Sequence, residues 1–204
     1  MQRRFLPLYL GLFALAVLAL GANRPAKAAY IVNLDEVGST VVATGSGTID
    51  LTDLTIANHA SSGAFIDAAG GDIILGGNVN GVADDRYAGF TGPTSFGSGS
   101  LVNPISGTGD RVGVDQTLGQ LILQSGYTSG TFLADTTTYF GTFAIDGLTP
   151  GTYVWTWGSG ADADSFTLQI GPSTVPVPEP SSALVLLGAL AGLMGLSQFQ
   201  RRAS

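Results

Sequence analysis

The 204-residue sequence predicts an all-β fold, a single jelly-roll-like β-sandwich between an N-terminal signal peptide and a C-terminal transmembrane helix. Three observations carry this. No stretch between residues 29 and 171 sustains a 3.6-residue apolar period. Short alternating runs instead recur between Gly, Asn, Asp and Ser breaks, the pattern of a sandwich or barrel. Uncharged apolar runs long enough to engage a membrane lie only near the two ends.

The first element is residues 1–28. Arg3 and Arg4 form a positive start, and residues 8–22 form an apolar run of signal-peptide length. Ala26 and Ala28 supply the small residues at −3 and −1, which predicts cleavage before Ala29. An uncleaved anchor helix is the alternative. Pro7, the modest length of the run and the Ala-Lys-Ala site weigh against it.

The body, 29–171, has the size of one ordinary domain. Its alternating runs predict strands at 30–34, 40–44, 47–51, 64–67, 73–75, 111–114, 120–124, 139–145, 152–157 and 165–170. Leu148-Thr149-Pro150-Gly151 reads as a turn, because Pro presets φ and Gly accepts a positive one. It launches a strand whose Tyr153, Trp155 and Trp157 share a face. A hairpin then brings Phe166, Leu168 and Ile170 alongside. The Gly-rich stretches 76–85 and 91–109 read as surface loops.

Residues 172–180 form a Pro-rich spacer. Pro176, Pro178 and Pro180 alternate with Val175, Val177 and Glu179, which favours an extended chain and bars a strand ladder. Residues 181–199 then carry no charge. As a helix they span about 28 Å, close to the thickness of a bilayer's hydrocarbon core. Their apolar residues surround the helix instead of forming one stripe, as in a membrane span. Arg201 and Arg202 follow, within the basic end 200–204. The positive-inside rule puts them in the cytoplasm and the body on the far side.

The Pro178-Glu179-Pro180 element, the apolar span and Arg201-Arg202 occur in that order within the last thirty positions. Together they resemble the PEP-CTERM protein-sorting signal. The resemblance covers about a seventh of the chain. It implies recognition by an exosortase, a membrane-embedded cysteine transpeptidase-like enzyme that cleaves near the PEP element and releases or transfers the body. It also implies a host that makes exopolysaccharide and biofilm, and so a role in the extracellular matrix. Further expected partners are the Sec export machinery, signal peptidase, the membrane through 181–199, and exopolysaccharide. The expected path is an inner-membrane tether with the body in the periplasm, then the cell surface or beyond. A GPI signal is the alternative for such a tail, and the terminal arginines argue against it.

Charge narrows the activity. The body holds two basic residues, Arg86 and Arg111, and fourteen acids, a formal charge of −12. A nucleic-acid partner would need a basic footprint, so none is expected. Without cysteine, thiol nucleophiles and thiolate metal sites are excluded. His59 is the single histidine, in a segment that reads as a polar loop, and no GxSxG elbow accompanies it. No catalytic residue is assigned, and the protein is expected not to be an enzyme.

Calcium is the better chemical candidate, since it takes six to eight oxygen ligands. Asp84 and Asp85 follow Asn78 and Asn80 in one Gly-rich stretch, and Asp162 and Asp164 follow Gly158-Ser159-Gly160 in another. Ordinary turn chemistry explains both groups equally, so no cofactor is required. Trp155 and Trp157 read as a core-facing stripe, the alternative being an aromatic platform for sugar rings. Thr136-Thr137-Thr138 is a run, not the Thr-x-Thr array that an ice-binding face would favour. A carbohydrate- or calcium-binding module on the cell surface is therefore the second reading of the body.

Overall fold

The computed structural model describes residues 29–77 and 81–171. The signal-peptide residues, the spacer, the apolar tail and Asn78 to Asn80 lie outside the described residues. Among the described residues, no helix is long and apolar enough to cross a membrane.

Among the described residues, twelve strands form the body: β1 (Tyr30–Val37), β2 (Thr40–Thr48), β3 (Thr55–Ser62), β4 (Phe65–Asp67), β5 (Asp72–Leu75), β6 (Val82–Ala88), β7 (Pro104–Gly109), β8 (Val112–Asp115), β9 (Gln120–Gln124), β10 (Phe132–Phe140), β11 (Gly151–Trp157) and β12 (Asp164–Ile170). They make two six-stranded sheets. The first has the order β11-β12-β1-β2-β10-β7, the second β3-β6-β9-β8-β5-β4. One hydrophobic cluster joins them, with Tyr30, Val32 and Leu168 from the first sheet and Ile73, Leu121 and Leu123 from the second. The all-β sandwich class read from the sequence is the observed one.

Alternation builds the first sheet. Val32 and Leu34 of β1, Val41 and Ala43 of β2, and Phe166 and Leu168 of β12 point inward, and the residues between them point out. The centre of the second sheet is different. β5 and β8 are buried at every position, and so are Leu121, Ile122 and Leu123 of β9, which is why these strands read as continuous short apolar runs.

The hairpin of β11 and β12 forms as the sequence predicts, with Trp155 opposite Phe166. β12 also runs parallel to β1, so the first and last strands lie side by side inside the sheet. Trp155 meets Phe166 edge to face at 5.7 Å and Phe96 at 6.4 Å between ring centroids. Phe96 comes from the long 91–103 connection, which thereby closes one end of the core.

Four readings are corrected. In place of separate strands at 40–44 and 47–51 there is one strand, β2, which ends at Thr48 and leaves residues 49–51 outside it. The predicted strand at 139–145 starts earlier and is β10, ending at Phe140. The two Gly-rich loops each contain strand, β6 in the first and β7 in the second. The polar segment around His59 is the strand β3 at a sheet edge. β3 is polar and largely exposed, β7 is glycine-bearing and largely exposed, and β6 carries buried charged residues at its centre, so none of the three shows a periodic apolar face along the sequence.

Candidate functional site

The sequence-predicted carboxylates do not converge. Asp84 and Asp85 are consecutive in β6, so their side chains leave opposite faces of the sheet. Asp84 is fully buried, accepting from the Ser62 hydroxyl and from Arg86 Nε at 2.8 Å. Asp85 lies on the inner face. Its Oδ1 accepts from Ser125 Oγ at 2.7 Å and stands 2.7 Å from His59 Nδ1, while Oδ2 accepts from Gly126 N at 2.9 Å. The Gly126 N–H first, then Ser125 and His59, hold the Asp85 carboxyl below its ordinary range.

Asp162 lies in a short 3-10 turn, Gly160–Asp162, and is exposed. Asp164 opens β12 and is buried, accepting from the backbone N–H groups of Asp50 and Ser165, each at 2.6 Å. Burial pushes its carboxyl above the ordinary range. All three buried carboxylates therefore have protein donors of their own. Among the described residues, no three His, Asp or Glu groups cluster closely enough to hold a metal ion.

His59 and Ser125 meet the same carboxylate oxygen. In a hydrolytic triad the carboxylate and the serine engage opposite nitrogens of the ring. Here the serine sits on the carboxylate instead, and the histidine side chain is 70% exposed on the edge strand β3. The arrangement orients His59 and supplies no nucleophile relay.

Trp155 and Trp157 face the core, 0% and 4% exposed. Trp155 Nε1 donates to Pro93 O and Gln116 Oε1, and Trp157 Nε1 donates to Asp50 O at 2.8 Å. Buried and hydrogen-bonded, they offer no platform to a sugar, which removes that alternative.

One buried polar pair was not legible in the sequence. Tyr30 of β1 donates its hydroxyl to Asp135 Oδ2 of β10, across β2. Gly45 makes room for them, since a Cβ there would stand 2.4 Å from the Tyr30 hydroxyl and 2.7 Å from Asp135 Oδ2. Burial raises the Asp135 carboxyl from 3.8 to about 7, the Tyr30 bond and Arg111 opposing this and Asp110 adding to it. Burial also raises the Tyr30 hydroxyl. Arg111, buried as well, donates to the carbonyls of Leu75 and Gly77. The pair is enclosed in the sandwich and presents no reactive group to solvent.

The remaining sequence-predicted sites, Ala26, Ala28, Pro178, Glu179, Pro180, Arg201 and Arg202, lie outside the described residues. Ala29 is described: its carbonyl accepts from Thr48 N at 3.3 Å, at the very start of β1.

Comparison with known proteins bears on the tail. Residues 176–202 match the family model of the PEP-CTERM protein-sorting motif. No curated protein and no solved structure matches the chain. The matched segment contains the Pro-Glu-Pro element, the apolar run and both terminal arginines. That motif implies export, membrane anchoring through the C-terminus and processing by an exosortase. By its tail, this chain is a carrier of the PEP-CTERM protein-sorting motif.

Proposed function

We propose that the chain is a non-enzymatic protein of the cell surface or extracellular matrix. The signal peptide is cleaved before Ala29, the tail tethers the body on the periplasmic side of the inner membrane, and an exosortase releases or transfers it near Pro178-Glu179-Pro180. The observation that carries this reading is the sorting motif at 176–202. Two features of the body support it. Asp84, Asp85 and Asp164 are each hydrogen-bonded by partners of the fold, and His59, exposed on an edge strand, is held by Asp85. The body's formal charge of −12 suits a soluble domain whose copies repel one another.

Mass analysis of the exported protein, with and without the exosortase of its host, tests the proposal. The expected product starts at Ala29 and loses its C-terminus from near the Pro-Glu-Pro element only when the enzyme is present. A C-terminus that the enzyme leaves unchanged refutes the processing.

A further inference from the structure

The outer face of the first sheet is nearly devoid of charge. Its register lines up Thr152, Gln169, Asn33, Thr44, Thr136 and Thr108 in one row across all six strands. Asp35 is a carboxylate on this face, and Asp110 borders it beyond β7. Neither cation of the body lies there, since Arg86 is in the other sheet and Arg111 is buried. Surface strands ordinarily spread charged side chains over their solvent face. This body has fourteen acids and places almost all of them elsewhere.

β10 lies within the neutral area, between β2 and the edge strand β7. Leu133, Asp135, Thr137 and Tyr139 point inward. Phe132, Ala134, Thr136, Thr138 and Phe140 therefore point out. The threonine run of the sequence thus becomes an outward pair, flanked by Thr44 of β2 and Thr108 of β7. Phe132 and Phe140 are 66% and 68% exposed and stand at the two ends of this strip. Eight strand residues separate them by about 27 Å.

We propose that this face docks an uncharged polyhydroxyl polymer, a neutral polysaccharide, laid along β10 between Phe132 and Phe140. Each threonine hydroxyl both donates and accepts, as a sugar hydroxyl does, so the two surfaces satisfy one another without charge. The phenyl rings supply the apolar bodies against which the C–H faces of pyranose rings pack. An anionic polymer finds no cation here and meets a body of −12. A second copy brings the same net charge, and the polar strip lacks the apolar centre of a stable dimer interface. A rigid ice lattice requires a flat array, whereas neighbouring strands rotate by roughly 20–25°. A flexible chain follows that twist. The inference rests on the matrix reading above for the presence of such a polymer, and on this face for its chemistry.

The test is native electrophoresis of the full chain in detergent micelles, through gels cast with hydroxyethyl cellulose, dextran or mannan, with alginate as the anionic control. Mobility is read against a polymer-free gel. At least one neutral polymer is expected to retard the protein, and alginate is not. Thr136→Lys and Phe140→Ala are each expected to weaken the retarding interaction about tenfold. Both residues face solvent, so the melting temperature should hold. No retardation by any neutral polymer overturns the proposal. So does retardation that both variants keep, or retardation by alginate alone. Inhibition of ice recrystallisation that Thr136→Lys abolishes, without polymer retardation, assigns the face to ice instead. The C-terminal mass of the same variants separates this outcome from the sorting reading, which a failure to bind polymer would leave standing.

Discussion

Replacing Asp135 by Asn should change how stability depends on pH more than stability itself. The Asp135 carboxyl is raised from 3.8 to about 7 in the folded body, mainly by burial. A carboxyl raised in this way favours the folded state while protonated. Its contribution is complete below the unfolded value and is lost as pH rises through about 7. The full difference is about 4 kcal/mol at low pH, at 1.36 kcal/mol per unit. Between pH 5 and pH 9 the loss is about 2.7 kcal/mol. The carboxamide of the Asp135→Asn variant would keep the shape and accept from the Tyr30 hydroxyl but cannot ionise. Urea unfolding across this range, followed by the fluorescence of the buried Trp155 and Trp157, measures the difference. The variant's advantage over the parent should be smallest at low pH, where Asp135 is protonated in both states, and should grow by roughly 2–3 kcal/mol between pH 5 and pH 9. Parallel stability curves for parent and variant over that range would refute a neutral, proton-retaining Asp135. Asp115, Asp146 and Asp164 are raised too, but they are common to both proteins and drop out of the comparison.

Gly45→Ala should destabilise the body by ~1–3 kcal/mol, because the new methyl group would press on the Tyr30 hydroxyl and Asp135; a shift in the urea midpoint measures it, and an unchanged midpoint would mean that the pair is not packed against β2. Calcium should leave the melting temperature unchanged, since Asp84, Asp85 and Asp164 are each satisfied by protein donors. A calcium-dependent rise in scanning calorimetry would show that one of these groups takes up the ion.

The strands that face a single core were legible from alternation, and those that break it were not. β9 sits at the predicted 120–124, and β12 begins one residue before the predicted 165. β10 was half hidden because its inward positions include Asp135 and Thr137, which read as surface residues in a one-dimensional pattern. They are inward because each has a partner distant in sequence, Tyr30 for one and the Gly76 N–H for the other. β6 was hidden by Asp84-Asp85-Arg86, a triplet typical of a loop, in which Arg86 pairs with Asp84 while Ser62 and Ser125 hydrogen-bond the two carboxylates once the strands pair. The tail was legible for the opposite reason. A sorting signal is recognised by the composition and order of its segments along the chain, and residues 176–202 match that pattern. The neutral outer face could not be read along the chain, because it is assembled from six strands whose order is not the order of the sequence.

The parallel pairing of β1 with β12 has a temporal meaning. Tyr30 is fully buried and stands next to Ala29, the residue that signal cleavage would expose. A peptidase must hold several residues on either side of its cut in an open groove, so a cut before Ala29 would have to precede the insertion of β1 into its sheet. At the other end, Gly171 is the last described residue, and six residues intervene before Pro178. A cut near Pro178 would fall outside every described strand. If the chain is exported from its N-terminus, β1 can find its parallel neighbour only after Ile170 has followed it. Pairing across the whole length of a domain is slow. The topology would thus tie closure of the core to the arrival of the chain's C-terminal end.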